Sequence, residues 1–271
     1  MSLGTNIKRI REEQRMTQEQ VANALEVSFQ AVSSWERDEY KPDTDKLIRL
    51  AEVFDVSVSA LVEERHKPFK TKEAIYNWEH MKTYVKTTAK NFKMYNTLKA
   101  LEFAVEAHEG QKRKKCDIPY IYHPLNLACH ALSMGIKEDE IIAGCLLHDV
   151  VEDCNKTVGD LPVNEETREI VRLMTHAKTK DADREKIMKA YYAALTENPK
   201  AALVKCLDRC NNLTTMSWGL SREKIYRMIQ ETDEYYPALL KVVKATPEYN
   251  DAAFLLQYQI ESMLDIYKRL L

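Results

Sequence analysis

The sequence predicts an all-α chain of two domains, and three observations carry that expectation. Apolar residues recur at helical spacing along nearly the whole length. Alternating β-branched runs and Asn-Gly turn pairs are missing, and only six glycines and eight prolines interrupt 271 residues. That length accommodates one small domain and one of ordinary size.

Composition narrows the class further. Hydrophobic residues make up 45% of the chain and charged residues 30%, with a mean hydropathy of −0.47, which describes a soluble globular protein. No apolar stretch reaches membrane-spanning length, and MSLGTNIKRI lacks the apolar core of a signal peptide, so no membrane partner is expected. Six cysteines lie in one central stretch without a CxxC pair, the usage of reduced thiols in a cytoplasmic protein. The net charge of −2 produces no global field toward nucleic acid.

Three regions follow along the chain. Residues 4–65 read as short helices forming a small helix-turn-helix domain. Residues 66–95 hold seven Lys and two Glu at regular spacing, which predicts a solvated basic connecting helix. From 96 to 271 the helical periodicity hardly stops.

In the first region Ile7 and Ile10 serve one helix, Val21 and Leu25 a second, Val32 and Trp35 a third, and Leu47, Leu50 and Phe54 a fourth. Thr17 and Gln20 are spaced as a capping box, and Ser28 precedes FQAVSSWE as a helix cap. Two short helices joined by LEVS make a helix-turn-helix. TQEQVANAL, VSFQAVSSWE, the KPD break and LIRLAEVFDVSVSAL together resemble the Cro/cI repressor-like (XRE) family. The resemblance implies binding of double-stranded DNA, with Phe29, Gln30 and Ser34 facing bases in the major groove and Gln18 holding a phosphate or supporting a reader. It also pairs Arg11 with Glu36. Glu26 and Asp38 stand where that family usually has glycine, which predicts left-handed backbone at both. Residues 1–65 carry nine Lys/Arg against thirteen Asp/Glu, an acidic balance that weakens phosphate attraction.

The chemistry centres on LLHDVVEDC, residues 146–154, where a histidine and three carboxylates interrupt an apolar run. Burying an unpaired carboxylate is costly, so such a cluster points to a cation. On one helix over 137–153, Cys145, His148, Asp149 and Glu152 share a face, with Ile142, Leu146 and Val150 on the adjoining one. His123 opens the helix of LNLACHAL, and Asp208 sits inside an apolar helix with Asn212 one turn on. Two histidines and two aspartates suit a borderline or hard divalent ion with positions left for water and phosphate.

His…His-Asp…Asp in this order resembles the signature of HD metal-dependent phosphohydrolases. GQKRK, PYIYHPL, LLHDVVEDC, TVGDL, VKCLDRCNNL and QETDEYYPALLKV resemble that family's RelA/SpoT alarmone-hydrolase branch over residues 97–245. The resemblance implies removal of the 3′-pyrophosphate of (p)ppGpp, with Mn²⁺ held by His123, His148, Asp149 and Asp208. Glu152 and Asp153 map to the acidic pair that activates water. Arg113 and Lys114 map to the basic pair on the guanosine nucleotide, and Asn212 to the residue that bonds the ribose. Lys115, Cys116 and Cys154 depart from the branch's usual residues and bear on substrate identity more than on metal binding. The 26 residues after Ala245 leave room for one or two helices, so alarmone synthesis is not expected.

Two other functions compete: a nucleotide-sensing transcription regulator with an inactive HD domain, and an HD phosphohydrolase of another nucleotide. Helix-turn-helix proteins of this kind work on paired half-sites, so a homodimer is expected. His108, His130 and His176 read as packed or surface histidines, and Tyr120 and Tyr122 as packing residues.

Overall fold

The computed structural model describes residues 2–62, 77–113, 117–176, 184–218 and 220–271. The described residues form fifteen α-helices and no strand beyond one isolated antiparallel bridge, Lys112 to Pro119. The chain divides into two compact units, Met1–Thr71 and Lys72–Leu271, each with its own core.

The first unit packs α1 (Leu3–Glu13), α2 (Gln18–Leu25), α3 (Phe29–Glu36), α4 (Thr44–Val53) and α5 (Val58–Val62) around Ile7, Val21, Leu25, Val32, Leu50, Phe54 and Leu61, all fully buried. Thr17 forms the capping box with Gln20, and Ser28 caps α3 by accepting from the Ala31 amide. Glu26 and Asp38 adopt φ of 56° and 58°, the left-handed conformation expected of the positions that replace glycine. Asp38 is held there by the Gly4 amide at 2.8 Å and by the Ser2 hydroxyl. Gly4 has no alternative, because a Cβ would meet the Trp35 carbonyl oxygen at 2.2 Å. Arg11 grips Glu36 through two nitrogens at 2.6 and 3.0 Å.

The second unit departs from the expected linker. Residues 66–76 lie outside the described residues, and the rest of 66–95 is mainly α6 (Trp78–Asn91), which is not a solvated connector. Met81, Val85 and Ala89 recur every four residues, about 100° round the helix from Lys82, Lys86 and Lys90, and they bury that stripe on α7 (Tyr95–Ala107) and α8 (Tyr122–Ser133). The basic composition disguised an amphipathic helix.

Two helices form the interior. In α9 (Asp139–Leu147) every residue from Ile141 to Leu147 is buried. In α13 (Pro199–Thr215) eleven residues are buried, and the helix touches α8, α9, α11 (Glu165–Met174), α12 (Arg184–Thr196), α14 (Arg222–Ala245) and α15 (Asn250–Leu270). Gly144 allows α9 to lie against α11, since a Cβ there would meet Ile170 Cγ2 at 2.9 Å. The register of α9 is set from its first turn. No side chain of α7's own N-cap closes its N-terminus. Instead Asp139 accepts from the Asn96 amide at 2.8 Å and the Thr97 amide at 2.7 Å. Asp139→Ala should therefore destabilise the second unit by about 2 kcal/mol, the upper range for losing a helix cap. Chemical denaturation checks the magnitude, and hydrogen exchange should localise the loss to α7 and α9.

Candidate metal centre

The helix expected over 137–153 is broken. It stops at Leu147 and resumes as α10 (Val150–Asp153), with His148 and Asp149 at the break. The His148 ring competes for the backbone there: Nδ1 donates to the Cys145 carbonyl at 2.8 Å, the acceptor that an unbroken helix would pair with the Asp149 amide. Four residues therefore do not share one face as expected. Cys145 is in the core, His148 and Asp149 turn toward α8, and Glu152 turns to His176, whose backbone N–H and ring Nδ1 approach Glu152 Oε1 at 2.8 and 2.9 Å.

His123 lies in the first turn of α8, where Pro124 needs no amide partner. Its Nδ1 donates to Asn211 Oδ1 at 2.7 Å. Both imidazoles thus use Nδ1 as donor, which directs both Nε2 atoms inward, 3.2 Å apart. Asp149 Oδ2 stands 3.4 Å from His123 Nε2 and 3.1 Å from His148 Nε2. Asp208 Oδ1, from α13, stands 3.3 and 3.8 Å from the same two nitrogens. The structure brings together all four residues expected as ligands, with His123, His148 and Asp149 as the tightest group.

Two lone-pair nitrogens facing each other among carboxylates in a buried site repel unless a positive charge lies between them. A divalent ion about 2.1 Å from each ligand keeps adjacent ligand atoms about 3.0–3.4 Å apart, so the separations found here fit one. Without a metal, a proton takes that place. Burial would depress the His123 imidazole, but its bonds to Asp149 and Asp208 outweigh burial and hold it up to about 9. Burial works against both carboxylates as well. The charge of His148 and the His123 bond draw Asp149 well below the usual carboxylate range, and for Asp208 the nearby Lys205 ammonium leads.

The surroundings hold the carboxylates in place, and here sequence reasoning missed three residues. The Tyr120 hydroxyl lies 2.7 Å from Asp149 Oδ2 and 3.0 Å from Asp153 Oδ2, so it is no mere packing residue. Burial and then the Asp149 charge raise its pKa, which keeps the hydroxyl protonated. Lys205 Nζ donates to Asp208 Oδ2 at 3.2 Å, and its pKa is raised well above the ordinary value because Tyr191 and Asp208 outweigh burial. Asn211 orients His123. A lysine three residues before a buried aspartate, and a second asparagine beside Asn212, were the available signals.

The basic loop approaches the same helix. Gln111 and Arg113 pair through backbone bonds with Tyr120 and Ile118, forming a narrow hairpin. Arg113 donates to Thr215 Oγ1 at 3.1 Å and to Asn211 Oδ1 at 3.4 Å. Lys114 lies outside the described residues. Asn212 Nδ2 donates to Asp208 Oδ1 at 2.6 Å. His108 is buried, with its ring tilted over Tyr120 at 4.7 Å and the Cys154 sulfur 3.2 Å from Nδ1. His130 and His176 are partly buried and lie outside the four-residue cluster. The histidines are buried while Asp149 is 21% exposed and Asp153 exposed, so the centre opens to solvent on its acidic side.

Fold and centre define an all-helical protein built round a His/Asp metal site. The chain belongs to the HD-domain family, whose model matches residues 100–240, and a helix-turn-helix model matches residues 7–61. It is 36% identical over 171 residues to the guanosine-3′,5′-bis(diphosphate) 3′-pyrophosphohydrolase of Aquifex aeolicus, covering 60% of this chain and 24% of that protein. It is 33% identical over 151 residues to guanosine-3′,5′-bis(diphosphate) 3′-pyrophosphohydrolase MESH1 of Xenopus tropicalis, covering 52% of this chain and 83% of that one. The match thus spans about a quarter of the Aquifex protein but most of the Xenopus one. A solved structure, described as a metazoan ortholog of SpoT that hydrolyses ppGpp, shares the fold. Its TM-score is 0.50 at 20% identity, over 63% of this chain and 94% of that one. No helix among the described residues is long and apolar enough to cross a membrane.

Two outcomes are expected of the centre. Metal binding must displace the His123 proton, which is held below about pH 9. The apparent dissociation constant should therefore fall about tenfold per pH unit from 7 toward 9, and calorimetry in two buffers should detect about one proton released per ion. Asn211→Ala should weaken metal binding about 10- to 100-fold by releasing the His123 ring. Metal titration with a competing chelator measures that loss.

Proposed function

We propose that this chain removes the 3′-pyrophosphate of (p)ppGpp in a Mn²⁺-dependent reaction, and that its helix-turn-helix binds double-stranded DNA as a homodimer. The observation that carries the hydrolytic reading is the convergence of His123, His148, Asp149 and Asp208 beside Asp153 and Arg113. Those four residues would hold the ion. When bound, it supplies neutralisation of phosphate charge and acidification of water.

The remaining work falls to the chain's own side chains. Asp153, exposed and within 3.0 Å of the Tyr120 hydroxyl, is the proton acceptor best placed toward solvent. Glu152 is its expected companion, and Tyr120 fixes Asp153 relative to Asp149. Arg113 and Lys114 would hold the guanosine nucleotide, a guanidinium being suited both to stacking on a base and to forking onto phosphate. Asn212 would meet the ribose. The relatives named for this activity support the substrate class, and a guanosine nucleotide and double-stranded DNA as proposed partners favour a cytoplasmic location.

For DNA, Phe29 and Gln30 are exposed on the first turn of α3, and Ser34 is half-buried one turn later. Gln18 donates to Glu36 Oε2 at 2.6 Å, which favours a supporting role over direct phosphate contact. The unit's acidic balance makes phosphate contacts few, so binding should be modest, with a shallow salt dependence.

One observation favours the nucleotide sensor as second reading: Glu152 Oε1 is engaged by His176 rather than turned toward the centre. A hydrolysis panel over ppGpp, pppGpp, GTP and nucleoside monophosphates separates the readings. Pyrophosphate release from ppGpp should need Mn²⁺ and fall at least about 1000-fold in His148→Ala and Asp149→Ala. Tight nucleotide binding without turnover would instead establish the sensor. Turnover of another nucleotide alone would establish the third function.

A further inference from the structure

Lys205 is a nearly buried ammonium with one carboxylate partner among the described residues. Its side chain is 13% exposed, and Asp208 Oδ2 lies 3.2 Å away. A charge so enclosed needs more than one oxygen to replace the water it has lost. The Tyr191 ring of α12 supplies the rest: Lys205 Nζ stands 5.5 Å from its centroid, within reach of the negative π face.

The same ring has a second neighbour. His176 packs on it with centroids 5.3 Å apart and planes inclined by 39°. His176 in turn donates to Glu152 Oε1 from ring Nδ1 at 2.9 Å and from its backbone N–H at 2.8 Å, which pins that carboxylate at one oxygen. Tyr191 is itself fixed, because its hydroxyl donates to the Met174 carbonyl at 2.8 Å, two residues before His176. Burial pushes that hydroxyl up to about 12, so the donor proton stays in place.

Two lines of contact therefore meet on one side chain. One runs from Asp208 through Lys205, the other from Glu152 through His176. We propose that Tyr191 is a positioning residue for the centre, seating Lys205 on Asp208 with one contact and His176 on Glu152 with the other. It touches neither ion nor nucleotide. Its effect is to confine a long flexible lysine and a half-exposed imidazole to the conformations that steady two carboxylates.

The His176 contact rests on the hydrolytic reading above, whereas the Lys205 contact is tested without turnover, by Mn²⁺ titration of the full chain against a competing chelator. Tyr191→Leu should weaken Mn²⁺ binding about tenfold. Tyr191→Phe keeps the face and loses only the hydroxyl bond, so its affinity should stay within about twofold of the wild type. In a Lys205→Met background Tyr191→Leu should cost no further affinity, whichever way the lysine's own charge acts on the ion. Circular dichroism checks folding, and Tyr191→Met takes the place of Tyr191→Leu if the latter melts early. Hydrolysis of ppGpp tests the second contact. His176→Phe keeps a ring on Tyr191 but loses the donor, and should lower kcat about tenfold with KM and Mn²⁺ affinity unchanged. His176→Asn should recover most of that loss, since its amide N–H stands where Nδ1 does. At saturating Mn²⁺, Tyr191→Leu should lower kcat as His176→Phe does.

Wild-type Mn²⁺ affinity in Tyr191→Leu, or an equal loss with Lys205 already replaced, overturns the Lys205 contact. A loss in Tyr191→Phe as large as in Tyr191→Leu assigns the effect to the hydroxyl and overturns the role of the ring. Wild-type kcat in saturated Tyr191→Leu overturns the His176 contact. A wild type that binds Mn²⁺ yet releases no pyrophosphate overturns the hydrolytic reading and the His176 contact together, while the titration still decides the Lys205 contact.

Discussion

Two imidazole nitrogens point at each other 3.2 Å apart inside the protein, with carboxylate oxygens beside them. Each imidazole is committed to that orientation by a donor bond on its far side, to a backbone carbonyl in one case and a side-chain amide in the other. Left to themselves these groups would spread apart or turn over, because adjacent lone pairs in a buried site repel. The arrangement persists when a cation occupies its middle, and the architecture of the second unit follows from the need to hold the four groups close. Three separate chain segments deliver them: the start of α8, the break after α9, and the middle of α13.

The elements that deliver the ligands are the ones with least freedom. Both α9 and α13 are buried along most of their length, and Asp139 ties the start of α9 to the start of α7. A helix clasped all round cannot slide to relieve repulsion at its end, so the strain falls on the polar contacts. Tyr120, Lys205, Asn211 and Asn212 each engage a ligand, and between them they orient one imidazole and steady two carboxylates. The first unit uses one cluster similarly: Arg11 and Gln18 both donate to Glu36, fixing α3 against α1 and α2.

Much of this was legible from residue order. The helical periods, the caps at Thr17 and Ser28, and the left-handed residues Glu26 and Asp38 are local properties, and local chemistry decides them. The four ligand candidates were legible because a buried His-Asp pair demands partners, and few polar residues interrupt the apolar helices. The helix break was not, since it depends on a side chain competing for a backbone carbonyl, and periodicity is blind to that. α6 misled for another reason: seven lysines over 66–95 dominated the composition, while only Met81, Val85 and Ala89 revealed the buried stripe. Tyr120 and Asn211 are tertiary partners, 29 and 88 residues from the groups they bond, and no spacing rule reaches that far.

The carbonyl oxygen of Asn211 is shared. It receives the His123 ring at 2.7 Å and the Arg113 guanidinium at 3.4 Å, so a ligand of the metal centre and the basic hairpin lean on one atom. An anion that draws Arg113 toward itself leaves the oxygen wholly to His123, and a firmly seated His123 in turn makes the guanidinium easier to draw away. By thermodynamic reciprocity each event favours the other to the same degree. Cooperation between cation and anion is thereby built into a single amide, without any movement of a helix.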